Sequence, residues 1–450
     1  MRRLVIALAG ATLLAGLPLA ASSASTPTPV GNVWVGGEPT AGHTWVARTS
    51  GWPTGTTFTF SWTLGTTVVK TSPSDNTYVA PTSALGGKVT LSVTGTAPGD
   101  TPTTVTLAPL RVQVPNPLAG DQWNAPDGPF QANWDGPYNP ATNTGWVGSN
   151  GVVHAPAAIQ NRPRVTWMTG PNLRSSTTIA MQLKLKMTML ERYIAASQNG
   201  DPDALTQFGL FGIYTVQGGE DYTHTAITSA EVAAYRAWIS AVVRTLGQTR
   251  AAIVLEPDLA ITTNPRTASD AARQGMAKWA AATLSQDKNA TIYLSAGDAD
   301  WLTPTQAANL LKASGIQYAR GFDLGDTHYS NLGADIMQGA AIVKALDALG
   351  FRDKHFVVDT SDNGRGFPFS RDPTRAVCAS KAALSPCVTL GVAPTWQVID
   401  TKNPLTSQQA AYALRLEDAD LWIGRPWNQN QAWPFLPARA AQLAASSPLA

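Results

Sequence analysis

The chain has 450 residues, of which 14% are charged, and its formal net charge is +2. So sparse and balanced a charge gives no electrostatic case for nucleic acid or an anionic membrane as partner. Fifteen tryptophans are many for such a chain; aromatic faces stack on the apolar faces of sugar rings, which suits a polysaccharide partner, although core packing accounts for most of them.

Met1-Arg2-Arg3, an apolar run from Leu4 to about Leu19 and the small residues Ala20 to Ala24 have the pattern of a secretory signal over residues 1–24. Cleavage is expected near Ala24, with Ala21 the alternative, and the product is expected to be soluble, secreted and extracellular. Roughly four hundred residues then remain, which predicts two domains rather than one core. Over 25–114 the composition is rich in Thr, Val, Gly and Pro. Phe58, Phe60 and Trp62 alternate, as do Val89, Leu91 and Val93, so half-buried strands of an immunoglobulin-like β-sandwich are expected. Its role reads as spacer or packing unit, with sugar binding as the alternative, for which Trp45 and Trp52 are the aromatics to test.

Pro115-Asn116-Pro117 ends the strand pattern, because neither proline can donate to a sheet ladder, and opens a second domain over 115–450. Apolar runs at Val165 to Met168, Gly209 to Tyr214, Ala252 to Leu255, Thr291 to Leu294, Ala319 to Phe322, His355 to Val358 and Leu421 to Gly424 read as strands. Between them, Ser229 to Thr245, Ser269 to Leu284, Thr305 to Ala313 and Ala334 to Leu349 read as helices. This alternation predicts an α/β domain, either a parallel barrel or a doubly wound sheet.

The segment Ala252-Ile253-Val254-Leu255-Glu256-Pro257-Asp258 is a strand that breaks at a proline and delivers a carboxylate at its C-terminal end, where parallel α/β folds place their chemistry. A half-buried Asp258 could hold a proton for donation to a leaving group. For an arbitrary strand-Pro-Asp segment the commoner role of Glu256 and Asp258 would be to cap the following helix.

Further segments resemble glycoside hydrolase family 6, the secreted cellulases. Asn116-Pro117-Leu118-Ala119-Gly120 is similar to its NPFAG, and the run Tyr293-Leu294-Ser295-Ala296-Gly297-Asp298-Ala299-Asp300-Trp301-Leu302 to its YLDAGHAGWL. Gly321-Phe322-Asp323-Leu324 is similar to GFAL, Asp359-Thr360-Ser361-Asp362-Asn363-Gly364 to DTSRNG, Leu390-Gly391-Val392-Ala393-Pro394-Thr395 to GVxPT, and Asp418-Ala419-Asp420-Leu421-Trp422 to DAYLW. The resemblance spans about Asn116 to Phe435 and implies a distorted, incomplete parallel α/β barrel with its cleft at the strand C-termini.

The resemblance also assigns roles. Asp258 would be the general acid of an inverting hydrolase, which needs a protonated carboxyl on the leaving oxygen and a base for the attacking water. Glu220 falls where the family has an Asp that tunes the acid. Asn428 and Asn430 fall where it has the Glu and Asp that include its proposed base, and an amide cannot accept a proton at neutral pH. Asp359, Asp362 and Asp326 are the substitute acceptors to consider. Trp123, Tyr214, Trp301 and Trp427, with Asn428 and Asn430, are the expected substrate contacts. Ser295, Asp298 and Asp362 replace the family's Asp, His and Arg.

Cys378 and Cys387 are the only cysteines, and export would join them as a disulfide worth at most roughly 3 kcal/mol, a free thiol pair being the alternative. No His/Cys metal cluster or phosphate-binding glycine loop is apparent, so neither a cofactor nor a metal is expected. The reading is a monomeric glucanase cleaving β-1,4-glucan such as cellulose, with a non-hydrolytic glucan-binding relative as the alternative.

Overall fold

The computed structural model describes residues 26–120, 147–148, 151–152, 156–160, 162–198, 201–219, 225–262, 270–326, 328–365, 389–428, 431 and 436–447. The expected signal, Trp123, Glu220, Cys378, Cys387 and Asn430 lie outside them. No described helix is long and apolar enough to cross a membrane.

The first part is a β-sandwich. One sheet orders its antiparallel strands β1 (Asn32–Gly37), β2 (Thr44–Ser50) and β5 (Thr77–Val79). The other orders β4 (Thr67–Ser72), β3 (Thr57–Leu64), β6 (Lys88–Thr96) and β7 (Thr103–Thr106), with β8 (Leu110–Arg111) also on β6. Alternation dictates the core: in β6 Val89, Leu91 and Val93 are buried and the residues between them are not. They close on Trp45, Trp62 and Tyr78, the last two stacked at 5.6 Å between ring centroids. Trp45 is fully buried there and presents no face to a sugar, which leaves Trp52 as the aromatic to test. Trp52 is half-buried, edge-on to Phe58.

After a two-residue hairpin, β9 (Val147–Gly148) and β10 (Gly151–Val152), and a short helix α1 (Ala157–Gln160), the chain builds seven parallel strands. These are β11 (Thr166–Thr169), β12 (Thr206–Phe211), β13 (Ala251–Leu255), β14 (Ala290–Ser295), β15 (Gly321–Leu324), β16 (His355–Asp359) and β17 (Glu417–Leu421), hydrogen-bonded in sequence order. The flanking helices are α2 (Ile179–Gln198), α3 (Ile213–Gln217), α4 (Ser229–Leu246), α5 (Leu259–Thr262), α6 (Asp270–Leu284), α7 (Pro304–Ser314), α8 (Leu332–Ala348), α9 (Ser407–Leu416) and α10 (Pro437–Ser446). Capping boxes start α4, α7 and α9: Thr228, Thr303 and Thr406 each accept from the N3 amide and receive the N3 Glu or Gln in return. The edge strands β11 and β17 share no ladder, but Val165 N–H donates to the Trp422 carbonyl at 2.8 Å. The sheet is therefore an incomplete barrel, as expected.

Two cores follow from the pleat. Outward residues such as Ile253, Leu255, Ile292 and Leu294 pack under the helices. Inward ones, including Trp167, Val254, Tyr293, Val357 and Ala419, fill the barrel. Its lower end is plugged by Asp418, which accepts from Tyr293 Oη at 2.7 Å and Arg320 Nε at 2.9 Å and pairs with His355 at 3.0 Å. Burial pushes this carboxyl up, but His355 and Arg320 outweigh burial and bring it to about 2.

The sandwich docks on this lower end. Gln113 Nε2 donates to the Trp396 carbonyl at 2.9 Å, Asn116 Nδ2 to the Asp418 carbonyl at 2.7 Å, and Arg111 forks onto Asp400 at 2.7 and 3.0 Å. Arg250, just before β13, donates to the Pro117 and Ala119 carbonyls. The strand C-termini, where the barrel's chemistry belongs, are left at the opposite end.

Candidate active site

Five apolar residues of β13 are buried, and the chain then turns sharply: Glu256 and Asp258 have φ of 56° and 64°, in the left-handed region. Pro257 cannot continue the ladder. The turn separates the fates of the two carboxylates. Glu256 is swung outward, where it accepts from the Gly212 amide at 3.1 and 3.2 Å, from the Ile213 amide at 3.1 Å and from Tyr235 Oη at 2.8 Å. Burial raises its carboxyl to about 7, against the pull of those donors. It anchors the loop after β12. Asp258 is half-buried at the mouth of the barrel, its backbone N–H donating to Asp326 Oδ2 at 2.9 Å.

The neighbouring strand ends carry further acids. Asp326 Oδ2 also accepts from Ser295 Oγ at 2.5 Å. Asp323 is fully buried, and its carboxyl lies against that of Asp326. Burial first, then the charge of Asp326, pushes Asp323 well above the usual carboxylate range. Asp359 ends β16 and has both oxygens filled: Oδ1 takes the Ser361 and Ile423 amides at 2.9 Å each, and Oδ2 takes Ser361 Oγ at 3.1 Å and the Gly424 amide at 2.8 Å. Burial raises it to about 7. Gly424 makes this closeness possible, because a Cβ there would lie 2.5 Å from Ser361 Oγ and 2.8 Å from both Asp359 Oδ2 and the Asp326 carbonyl.

Of the three substitute acceptors, Asp359 is a clamp between β16 and the end of β17, with no lone pair left for a water. Asp362 accepts from Gln431 Nε2 at 2.6 Å and is pushed well above the usual range by burial and by Asp359. Asp326 is committed to Asp258 and Ser295.

Other expected contacts are more buried than their roles require. Trp427 is fully buried, its ring 6.0 Å from that of Trp422, so it presents no face to a sugar. Packing between two large indoles is the physical reason. Asn428 is 2% exposed and Tyr214 6%, the latter against Phe211. Trp301 is half-buried beside the His328 ring at 4.5 Å and keeps part of its indole accessible. Near it Asp298, raised to about 6 by burial, shares a proton with the buried Asp335. Asp298, Asp300 and His328 bring ligand atoms within 4.8 Å of one another, but Asp300 is exposed and nothing further marks the corner as a cation site. The carboxyl pairs escaped sequence reasoning, because Asp323 with Asp326 and Asp298 with Asp335 have no spacing signature; only their position at strand C-termini points to them.

An incomplete parallel barrel with carboxylates gathered at its strand C-termini defines an α/β-barrel enzyme architecture. The family model of the glycosyl hydrolases family 6 matches residues 150–406, and the chain belongs to that family. It is 30% identical to endoglucanase A of Cellulomonas fimi over 154 residues, covering 34% of this chain and 32% of that protein. With endoglucanase A of Thermobispora bispora it shares 31% identity over 226 residues, 47% of this chain and 42% of the relative. The chain thus spans about a third to a half of the length of the curated relatives it matches. Among solved structures, the endoglucanase Cel6 of Mycobacterium tuberculosis, in complex with a methyl-cellobiosyl thio-cellobioside, superposes with a TM-score of 0.53 at 25% identity, covering 74% of this chain and 99% of that one.

Proposed function

We propose that the protein is a secreted, monomeric, inverting hydrolase of β-1,4-glucan in which Asp258 donates the proton to the leaving oxygen. The observation that carries this reading is the placement of Asp258: a half-buried carboxyl in a left-handed turn at the C-terminal end of β13, in a chain whose relatives are endoglucanases. The proton passes from Asp258 to the glycosidic oxygen as the bond from the anomeric carbon to that oxygen breaks. Water adds from the opposite face and gives up a proton to a base. Glu220 is the expected modulator of the acid, and Trp301 supplies a stacking face for a sugar ring.

A second reading is a glucan-binding relative without turnover. It is favoured by the filled oxygens of Asp359 and the burial of Asn428, a neutral side chain where the family pattern has a carboxylate. Reducing-end release from a soluble β-1,4-glucan by the purified protein, with Asp258→Asn as control, separates the two. Turnover by the wild type and not by the variant supports the hydrolase. Glucan binding with no release by either supports the second reading. Neither binding nor release on any β-glucan refutes both.

A further inference from the structure

We propose that Asp326 is the positioning residue for Asp258: its carboxylate ties the loop after β13 to the loop after β15 and thereby fixes the proton donor at the mouth of the barrel. The inference rests on the reading of Asp258 as donor and adds to it the residue through which the fold holds it.

Three non-glycine residues around the mouth, Glu256, Asp258 and Asp326, have φ of 56°, 64° and 50°. Each such conformation costs on the order of 1 kcal/mol or more, and persists only where the surroundings over-determine it. The surroundings do so here. Glu256 is held by two amides and a tyrosine, the Leu259 and Ile261 amides return to the Glu256 and Asp258 carbonyls at 3.0 and 2.9 Å, and the Asp258 amide goes to Asp326. The Asp258 amide thus ties the direction of the donor's backbone to where Asp326 points.

Asp326 in turn points in one direction only. It is fully buried; one oxygen takes Ser295 Oγ and the Asp258 amide, and the carboxyl also lies against that of Asp323. Its carbonyl lies against Gly424, where a Cβ would intrude at 2.8 Å, so its backbone is pinned as well. Ser295 occupies the position at which the resembled motif carries an Asp. The carboxylate missing from the end of β14 is thus supplied from the end of β15, in hydrogen-bond contact with the residue that replaced it. Because the task is to accept hydrogen bonds, an amide oxygen of the same shape can perform it. In Asp326→Asn the Oδ1 atom would take both donors and the Nδ2 group would donate to Asp323.

The test uses the full chain and two substrates. On a soluble β-1,4-glucan, Asp326→Ala is expected to lower kcat on the order of 100-fold, the usual consequence of an ångström-scale misplacement, with KM within about twofold. Asp326→Asn should recover to within about tenfold of the wild type. On dinitrophenyl β-cellobioside, whose leaving group departs without protonation, the Asp326→Ala loss should shrink to a few-fold, a dependence that a general loss of structure would not produce. Hydrogen exchange of the segment 256–262 should be faster in Asp326→Ala and like the wild type in Asp326→Asn. Equal losses on the two substrates, an Asn variant as poor as the Ala variant, or unchanged exchange would overturn the proposal. If the wild type turns over neither substrate, the donor reading of Asp258 fails, and the exchange result alone decides whether Asp326 clamps the loop. Should Asp326→Ala not fold, Ser295→Ala removes one donor to the same oxygen and must show a smaller loss with the same dependence on leaving group.

Discussion

Replacing Glu256 by Gln should make the protein more stable at pH 8 and leave it nearly unchanged at pH 5. The Glu256 carboxyl is buried and raised from its ordinary 4.5 to about 7. A group whose folded pKa is raised contributes stability below its unfolded pKa and loses it as the pH climbs through the folded value. Between 4.5 and about 7 the unfolded chain has released the proton while the folded chain keeps it, and each pH unit in that window is worth about 1.4 kcal/mol. The side chain therefore costs stability on the order of 3 kcal/mol once the pH exceeds 7. Glutamine does not titrate; its oxygen can take the Gly212 and Ile213 amides, and its amide can donate to Tyr235 if that hydroxyl turns. Urea unfolding followed by tryptophan fluorescence at half-unit steps from pH 5 to 8 gives both curves. They should coincide near pH 5 and separate by up to about 3 kcal/mol at pH 8. Parallel curves would refute the assignment of that cost to Glu256.

Other expectations follow from the same contacts. Asp359→Ala strands three buried amides, those of Ser361, Ile423 and Gly424, and should cost at least about 3 kcal/mol in denaturant unfolding. Ser361→Ala removes one hydroxyl donor and should cost only about 1 kcal/mol. Gly321→Ala would place a methyl 1.7 Å from the His355 carbonyl oxygen, prising β15 from β16, and should abolish soluble expression. Glu417 and Asp420 are buried with their carboxyls against each other, without an N–H or hydroxyl donor among the described residues; burial raises both well above the usual range. Glu417→Gln supplies a donor to Asp420, and the gain in thermal midpoint should appear at pH 7 and fade toward pH 4.

Where apolar runs or caps dominate, the fold was legible. β13 was read to within one residue because five consecutive buried residues interrupt a polar sequence, and the starts of α4 and α7 lay within one residue of their expected positions. β12 was read about three residues late, because the apolar run continues through Ile213 and Tyr214 into α3 after the strand has ended at Phe211. β17 was placed four residues late for the opposite reason. Its residues Glu417, Asp418 and Asp420 are all buried, and no hydropathy pattern marks a strand made largely of acids. α2 was missed because Leu183 to Met189 alternates like a strand, and only Leu190, Tyr193, Ile194 and Ser197 of the helix are buried. The site divides similarly. Asp258 follows from a strand-Pro-Asp break, whereas the Asp326 contact with Ser295 joins residues 31 positions apart and exists only once β14 and β15 lie side by side.

The altered motif positions become coherent in three dimensions. Taken singly, Ser295 for Asp, Asp298 for His and Asp362 for Arg suggest a cleft losing its polar contacts. In the fold, Ser295 is hydrogen-bonded to Asp326, Asp298 shares a proton with Asp335, and Asp362 is held by Gln431. Each replacement has a partner that satisfies it, and one of the three, Asp298 with Asp335, is a pair of carboxyls that needs a proton to hold together. Such pairs hold together while the pH stays below the raised values of their members and repel once both ionise. Where the family motif has an imidazole, this corner of the cleft is therefore held by a pair of buried carboxyls, a contact favoured by acid. On that argument the pH at which this corner loosens is set by Asp298 and Asp335. Hydrogen exchange of 292–302 should then accelerate above neutral pH in the wild type, and Asp335→Asn, which keeps a donor for Asp298, should suppress the change.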